Sequence, residues 1–240
     1  MKIKTTLLTL FFFLSFQIGF SQEQVEEKNF SADVSVDLVS RYVWRGINLS
    51  ESPSIQPNLA FSYKGFSFGS WASYSFAREN FQEVDLFLTY ETEHLNFTIN
   101  DYYNPLDTLG NMGDYFHLTN KITRHTIEGM FTLSGSDNFP LSFTTGIMFY
   151  GNDRGENGKN QYSTYLELSY AAKIQKIEVT PFIGFTPAKG FYGKDFNVVN
   201  VGVTAVKNIE FSDKFKLPLK SSFIINPEQE KVFFVIGITF

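Results

Sequence analysis

The sequence predicts an all-β protein, a transmembrane antiparallel up-and-down β-barrel with twelve strands. Three observations predict this fold class. The first residues have the pattern of a secretory signal, the remainder alternates between apolar and polar side chains with a period of two, and 28 Phe and 12 Tyr stand among the 240 residues. Aromatic residues favour strands and form girdles at both interfaces of membrane barrels. The predicted location is therefore the outer membrane of a two-membrane bacterium.

The N-terminal segment has the three parts of a signal peptide. Lys2 and Lys4 supply a positive start, residues 7–16 an apolar run, and Gly19 and Ser21 small residues before a cleavage site. The apolar run is shorter than the roughly 20 residues that a spanning helix needs. We therefore expect a signal peptide at 1–21, a short periplasmic segment at 22–30 and the barrel at 31–240.

Charge and cysteine content exclude several function classes. The net charge is −5, and removal of a signal that carries Lys2 and Lys4 but no acidic residue lowers it to −7. Nucleic-acid binding rests on basic patches, so no nucleic-acid partner is expected. The chain has no cysteine, which excludes disulfides and thiolate metal sites. No cofactor is predicted, and stability must come from barrel closure or a large core.

The first predicted strand shows the alternation most clearly. Its apolar face is predicted to contain Ala32, Val34, Val36, Leu38, Tyr42 and Trp44. Its polar face is predicted to contain Asp33, Ser35, Asp37, Arg41 and Arg45. Such a pattern places one face against lipid or a core and the other against water.

Eleven further segments repeat this pattern. Their apolar faces lie within 55–63, 66–76, 84–90, 95–99, 127–133, 141–149, 162–170, 177–185, 199–205 (beginning with Val199), 217–225 and 232–240. Most segments have about ten residues, which is the length that a tilted strand needs to cross a hydrocarbon layer. The total of twelve is even, as expected of a single-chain barrel.

The connections sort into two classes if both termini are periplasmic. Short inner turns are predicted at 64–65, 92–94, 135–140, 173–175 and 209–215. Outer loops are predicted at 48–53, 78–81, 104–120, 151–161, 187–195 and 227–229. The three longest connections all fall outside, as in known membrane barrels. Residues 114–126 could instead form an extra hairpin, but we keep one strand there because the strand number then stays even.

A short run near the start of the predicted barrel resembles a known family. Residues 40–46 have the sequence Ser-Arg-Tyr-Val-Trp-Arg-Gly, and Ser50, Pro53 and Gln56 follow. This run is similar to that of the TorF-type porins, a group of bacterial barrel proteins. The resemblance implies a pore and carries no substrate and no catalytic residue. The last residue, Phe240, resembles the signal by which barrel-assembly machinery recognises its clients.

Two motifs invite an enzymatic interpretation, and neither has the required context. Residues 65–69 match the G-x-S-x-G pattern of serine hydrolases around Ser67, but that motif works on a strand-turn-helix elbow and no helix is predicted here. The three histidines, His94, His117 and His125, have no metal-ligand spacing. We predict that the protein is not an enzyme.

Residues 151–158 contain oxygen ligands in a loop, with the sequence Gly-Asn-Asp-Arg-Gly-Glu-Asn-Gly. Calcium-binding loops place such ligands at a defined spacing, which is incomplete here. A solvated outer loop is the favoured interpretation, and no metal site is predicted.

Charged residues on the polar faces are the candidates for a pore lining. They are Arg41, Arg45, Glu83, Asp85, Arg124, Glu128 and Glu167. In a water-filled pore, charges of both signs at one level select solutes by charge and size. Alternatively, the same residues pair with each other and plug a narrow barrel, because twelve strands lie between filled eight-strand and open sixteen-strand barrels. The sequence leaves both alternatives open.

The leading functional hypothesis is a porin that passes small hydrophilic solutes by diffusion. Its expected partners are outer-membrane lipid, the barrel-assembly machinery and the solutes. The alternative is a closed structural or adhesive barrel that binds a partner through its outer loops, especially residues 104–120. A third class, a barrel enzyme acting on lipid, needs Ser, His and an acid gathered at the membrane interface, and the spacing offers none.

Overall fold

The computed structural model describes residues 30–77, 81–105, 114–119, 122–212 and 215–240. The predicted signal peptide, and the predicted periplasmic segment except Phe30, lie outside this part of the chain. The strands are β1 (Phe30–Val39), β2 (Tyr42–Trp44), β3 (Ile47–Ser50), β4 (Ser54–Tyr63), β5 (Phe66–Ser75), β6 (Gln82–Glu91), β7 (Leu95–Tyr103), β8 (His125–Leu133), β9 (Leu141–Gly151), β10 (Thr164–Tyr170), β11 (Ala172–Ile174), β12 (Ile177–Thr186), β13 (Asn197–Ser212), β14 (Phe215–Asn226) and β15 (Lys231–Thr239).

All strands except β2 and β3 form one antiparallel sheet that closes on itself. Each strand pairs with the next along the chain, and β15 returns to pair with β1, where Leu38 lies opposite Ile238. Both β10 and β11 pair with β12, so they act as a single strand interrupted at Ala171. The sheet is thus a closed twelve-strand barrel, which confirms the predicted fold class. Among the described residues there is no helix with the length and hydropathy to span a lipid bilayer.

The alternation of the sequence sets the two faces of the barrel wall. Successive side chains of a strand point to opposite faces, so apolar residues at every second position all point to the same side of the wall. On β5, Phe66 and Phe68 point outward and are each 54% exposed, whereas Ser67 points inward and hydrogen-bonds Ser62. The same arrangement on the other strands gives a wall with an apolar outer face and a polar inner face, as predicted.

The two ends of the barrel differ in their connections. At one end, here called the turn end, short turns join the strands, among them Lys64-Gly65, where both residues have positive φ. Such a two-residue turn matches the twist of the paired strands. The opposite end, here called the loop end, carries the long connections, including the one between β7 and β8. Both ends of the described chain lie toward the turn end, where Phe240 exchanges backbone hydrogen bonds with Val36.

The structure corrects the prediction for the first strand. β1 ends at Val39, and β2 and β3 form a separate hairpin, so the assignment of Tyr42 and Trp44 to the apolar face of one continuous strand is wrong. The predicted loop at 48–53 is also wrong in its first part, because residues 48–50 belong to β3. The alternation of apolar and polar residues continues from β1 into β2, so periodicity alone does not reveal that the chain leaves the barrel wall after β1.

Two smaller predictions also differ from the structure. Val199 is fully buried and points inward, because a register shift at Gly184 and Phe185 reverses its side relative to the rest of β13. Such a bulge inserts one residue into a strand and thereby reverses the alternation. The second difference is that the predicted turn at 209–215 is shorter, since β13 extends to Ser212 and β14 begins at Phe215.

Candidate functional site: a hairpin across the barrel

The hairpin of β2 and β3 turns at Arg45 and Gly46. Their φ angles are 49° and 77°, so both central residues of the turn are left-handed, as a tight two-residue hairpin requires. A Cβ atom on Gly46 would lie 2.1 Å from the carbonyl oxygen of Val199, so only glycine fits there. For Arg45 the left-handed conformation costs about 1–3 kcal/mol, and its side-chain contacts must offset that cost.

The Arg45 guanidinium forms a paired salt bridge with Glu128 on the inner face of β8. Its Nη1 donates to Oε1 at 2.6 Å and its Nη2 to Oε2 at 2.9 Å. The side chain of Arg45 is 8% exposed and that of Glu128 is fully buried. A fork of two parallel hydrogen bonds fixes orientation as well as charge. The hairpin turn is therefore anchored to a wall strand 83 residues further along the chain.

Aromatic side chains surround this ion pair. The Arg45 guanidinium carbon lies 4.5 Å from the ring centroid of Trp44 and 4.6 Å from that of Tyr165. Arg45 also donates to the Tyr192 hydroxyl, and the Tyr102 hydroxyl donates to Glu128 at 2.7 Å. Burial raises the pKa of Tyr192 above its ordinary value, so its phenol stays protonated beside the arginine. Cation–π contacts and hydrogen bonds together satisfy the buried pair.

A second strand of the barrel wall, β14, also holds the hairpin tip. The Asn226 side chain on β14 donates to the carbonyl oxygen of Gly46 at 3.0 Å. Trp44 and Ile47 pack against a buried cluster formed by Met148, Tyr165, Tyr192 and Val199. The hairpin starts between β1 and β4 and reaches inward-facing residues of β8, β9 and β10, so it extends across the barrel interior.

Two cavities lie on opposite sides of the hairpin. The larger, here called the lumen cavity, has a volume of about 490 Å³ and lies between the hairpin and a wall formed by β1, β4, β10 and β12 to β15. Its charged lining residues are Asp37, Arg41, Arg45, Glu167 and Lys220. The smaller, here called the mouth cavity, has a volume of about 180 Å³ and lies between the hairpin and the loop end of β6 to β9.

The seven residues proposed from sequence as a pore lining fall at several places. Arg41, Arg45 and Glu167 line the lumen cavity, where Arg41 lies over the Phe233 ring and Glu167 accepts from Asn200 at 3.2 Å. The remaining four are Glu83, which lines the mouth cavity, Asp85 beside it on β6, Glu128 in the ion pair, and Arg124 just before β8.

The pattern of the sequence does not single out Tyr165, Tyr192 and Asn226, which hold the hairpin tip. Their role depends on contacts between distant segments, and Tyr192 lies in a loop. The hairpin turn itself has a sequence signature, since a dipeptide that ends in glycine and separates two short strand segments is typical of a two-residue hairpin turn. The dipeptide Arg45-Gly46 has that form, as does the Lys64-Gly65 turn.

Below the hairpin, the inner face of the wall carries neutral hydroxyl groups. Three pairs on neighbouring strands hydrogen-bond each other near the turn end, with oxygen–oxygen distances of 2.7–3.0 Å. They are Ser62 with Ser67, Thr89 with Thr98, and Thr132 with Thr144. These pairs make the wall at this level polar without charge.

The residues that suggested enzyme or metal chemistry have other surroundings. Ser67 lies within β5, so the G-x-S-x-G motif runs from a turn into a strand instead of forming an elbow. His125 is buried between Asp101 and the carbonyl oxygen of Tyr115, on the outer side of β8. In the loop at 151–158, for which a solvated outer loop is the favoured interpretation, Asp153 is buried and accepts hydrogen bonds from Ser163. The described residues hold no group of three His, Cys, Asp or Glu side chains that could bind a metal.

A family model described as a bacterial protein of unknown function (Gcw_chp) matches residues 22–215. The chain belongs to the Gcw_chp family. The match includes the hairpin and its partners Glu128, Tyr165 and Tyr192, whereas Asn226 lies beyond it, so in this Gcw_chp protein most of the site lies within the family region. No curated protein matches the chain.

Proposed function

We propose that this bacterial protein is an outer-membrane channel that passes small hydrophilic solutes by diffusion. The observation that carries the proposal is the lumen cavity of about 490 Å³ within a closed barrel, whose lining includes charged side chains of both signs. A polar interior behind an apolar outer wall is the arrangement of membrane barrels that contain an aqueous path. No catalytic step is part of the proposal.

The apolar outer wall supports the outer-membrane location. Large apolar side chains on its strands are exposed, including Phe61, Phe97, Ile99 and Phe234, each more than 40% accessible. Soluble monomers rarely expose apolar patches of more than a few hundred Å². A lipid environment covers such a surface, and the closed sheet leaves no unpaired strand edge in it.

The proposed path runs beside the hairpin and then along the hydroxyl-lined half toward the turn end. Arg41 and Lys220 line the lumen cavity together with Asp37 and Glu167, so the proposed path carries charges of both signs. Charges that line a constriction select solutes by their own charge. The resemblance of residues 40–46 to the TorF-type porins is consistent with this path.

Planar-bilayer recording of the folded, purified protein tests the proposal. The channel predicts discrete conductance steps, with protein that was unfolded by boiling as the control. Folded protein that is inserted in the bilayer, as shown by protease protection, and gives no steps would contradict it. Replacement of Lys220 by Gln should shift the reversal potential toward cation preference, because it removes one positive charge from the lumen cavity.

A closed barrel that binds a partner through its loops is the second candidate. The observation that favours it is the hairpin itself, which extends across the interior and is fixed by a buried ion pair. The same recording separates the two functions, because a closed barrel gives no steps even when it is fully inserted. Deletion of loop residues would then abolish partner binding and leave the barrel intact.

We also propose Phe240 as the signal for the barrel-assembly machinery. Phe240 lies at the seam where β15 meets β1, and its side chain is 58% exposed. Replacement of Phe240 by Ser should reduce the amount of heat-modifiable barrel in bacterial membranes, whereas an equal amount would contradict this role.

A further inference from the structure

The lining of the mouth cavity includes four aromatic rings. Trp44 belongs to the hairpin and Tyr102 to β7, whereas Phe81 and Phe191 lie in connections at the loop end. The Trp44 ring centroid lies 5.5 Å from that of Tyr102 and 6.1 Å from that of Phe191. Several aromatic rings around one small space form the kind of cage that attracts an organic cation through its π faces.

A carboxylate without a counter-charge borders the same cavity. Glu83 is 5% exposed, and its Oε2 atom makes no hydrogen bond with any described residue. Its side chain hydrogen-bonds with Asn104, Asp85 and Tyr42, and none of these three residues is a cation. Burial of a carboxylate without a positive charge beside it is costly, and a positively charged ligand at Oε2 would offset that cost.

The charge of the mouth cavity is otherwise negative. No Lys or Arg is found among the described residues that line it, whereas Asp153 is a second carboxylate there. The nearest guanidinium, that of Arg45, stacks on Trp44 but is neutralised by Glu128 and lines the lumen cavity. The cavity therefore combines an acidic potential with an aromatic surface.

We propose that the mouth cavity binds a small organic cation, an ammonium group that carries short alkyl substituents, with Glu83 as its counter-charge. The volume of about 180 Å³ is below that of pockets for drug-sized ligands, which sets the size class. A hard metal ion is disfavoured because it needs several charged ligands, and the described residues hold no group of three His, Cys, Asp or Glu side chains that could bind one. This inference goes beyond the proposed channel and holds whether or not the lumen conducts.

Isothermal titration calorimetry of the folded full-length barrel in detergent tests the site. The probe is choline chloride, and the control ligand is 3,3-dimethyl-1-butanol, which has the same shape but a carbon in place of the charged nitrogen. We expect choline to bind and the neutral compound to bind at least about tenfold more weakly, because charge recognition is worth about 1.4 kcal/mol or more.

Two substitutions locate the binding. E83Q keeps the shape of the side chain and removes its charge, so it should weaken choline binding about 10- to 100-fold. F191A should weaken it several-fold by opening the aromatic cage. The matched control is E93Q, in the turn between β6 and β7 at the opposite end, where the Glu93 side chain is 89% exposed. That variant should bind choline as the unmodified protein does.

Heat modifiability on gels verifies that each variant is folded. If E83Q does not fold, F191A still tests the site, because Phe191 lies in a loop outside the barrel wall. Absence of choline binding at millimolar concentration, equal binding of the neutral compound, or undiminished binding by E83Q would each overturn the proposal. Bilayer conductance is recorded separately. Conductance without choline binding rejects this site alone, and binding without conductance rejects the channel alone.

Discussion

The loop-end and turn-end halves of the barrel interior are built in different ways. The loop-end half contains the hairpin, the Arg45–Glu128 ion pair, and Glu83 and Asp85, all largely buried. The turn-end half contains hydroxyl pairs on neighbouring strands, such as Thr89 with Thr98. Hydroxyl pairs need no partner from across the barrel, whereas a buried charge does. The comparison indicates that interactions across the lumen are concentrated at the loop end, where they hold one segment in one position.

The largest expected effect comes from breaking the ion pair. E128A leaves the Arg45 guanidinium buried without its counter-charge, which should lower the free energy of unfolding by about 3–5 kcal/mol. Urea-induced unfolding in lipid vesicles measures it. The double variant R45A/E128A removes the unpaired charge and should recover much of the loss. A double variant as unstable as the sum of the two single variants would show that the two residues do not act as a pair.

The next effect distinguishes steric fit from backbone conformation at the hairpin turn. G46A should lower the free energy of unfolding by about 3 kcal/mol, because the new Cβ would clash with the Val199 carbonyl oxygen and because alanine disfavours a positive φ. The matched control is G158A, whose φ is also positive but whose Cβ would have no atom within 4 Å. It should cost only about 1 kcal/mol. Equal losses in urea unfolding would mean that the turn does not pack against β13.

A smaller effect is expected from the aromatic surroundings of the ion pair. Y192F removes the hydroxyl that accepts from Arg45, which should lower the free energy of unfolding by about 1.5 kcal/mol. The control is Y162F, since Tyr162 is 61% exposed at the loop end. Urea unfolding of the two variants should differ by this amount. No difference would show that Arg45 does not depend on the Tyr192 hydroxyl.

The smallest effect is predicted in the turn-end half. T98V removes one hydroxyl from the pair with Thr89 and should change the free energy of unfolding by less than about 1 kcal/mol. The conductance steps should also stay unchanged, because the proposed constriction lies at the hairpin. A loss comparable to that of E128A would contradict the contrast between the two halves.

The barrel could be predicted from sequence because its wall follows a strict rule. Side chains alternate between lipid and interior along every strand, so Phe66 and Phe68 are distinguishable from Ser67 without any long-range information. The rule fails where the chain leaves the wall. Tyr42 and Trp44 keep the same alternation inside the hairpin, and the bulge near Val199 shifts the alternation without a change in residue type.

The candidate site was less accessible to sequence reasoning. Charged residues that stand opposite apolar positions are predicted to face the interior, and one of the two alternatives has them pair with each other. The sequence does not indicate that Arg45 pairs with Glu128. Their contact joins segments 83 residues apart and depends on the path of the hairpin. The unpartnered state of Glu83 likewise follows from what surrounds it in space, because its sequence neighbours carry no such information.

The central claim is that the hairpin lies across the barrel and narrows its interior at the loop end. Single-channel recording of a variant in which residues 42–50 are replaced by a Gly-Ser linker of equal length tests it most directly. The claim predicts larger conductance steps than those of the unmodified protein, because the lumen and mouth cavities would merge. Steps of identical size, from a variant shown to be folded by heat modifiability, would contradict it.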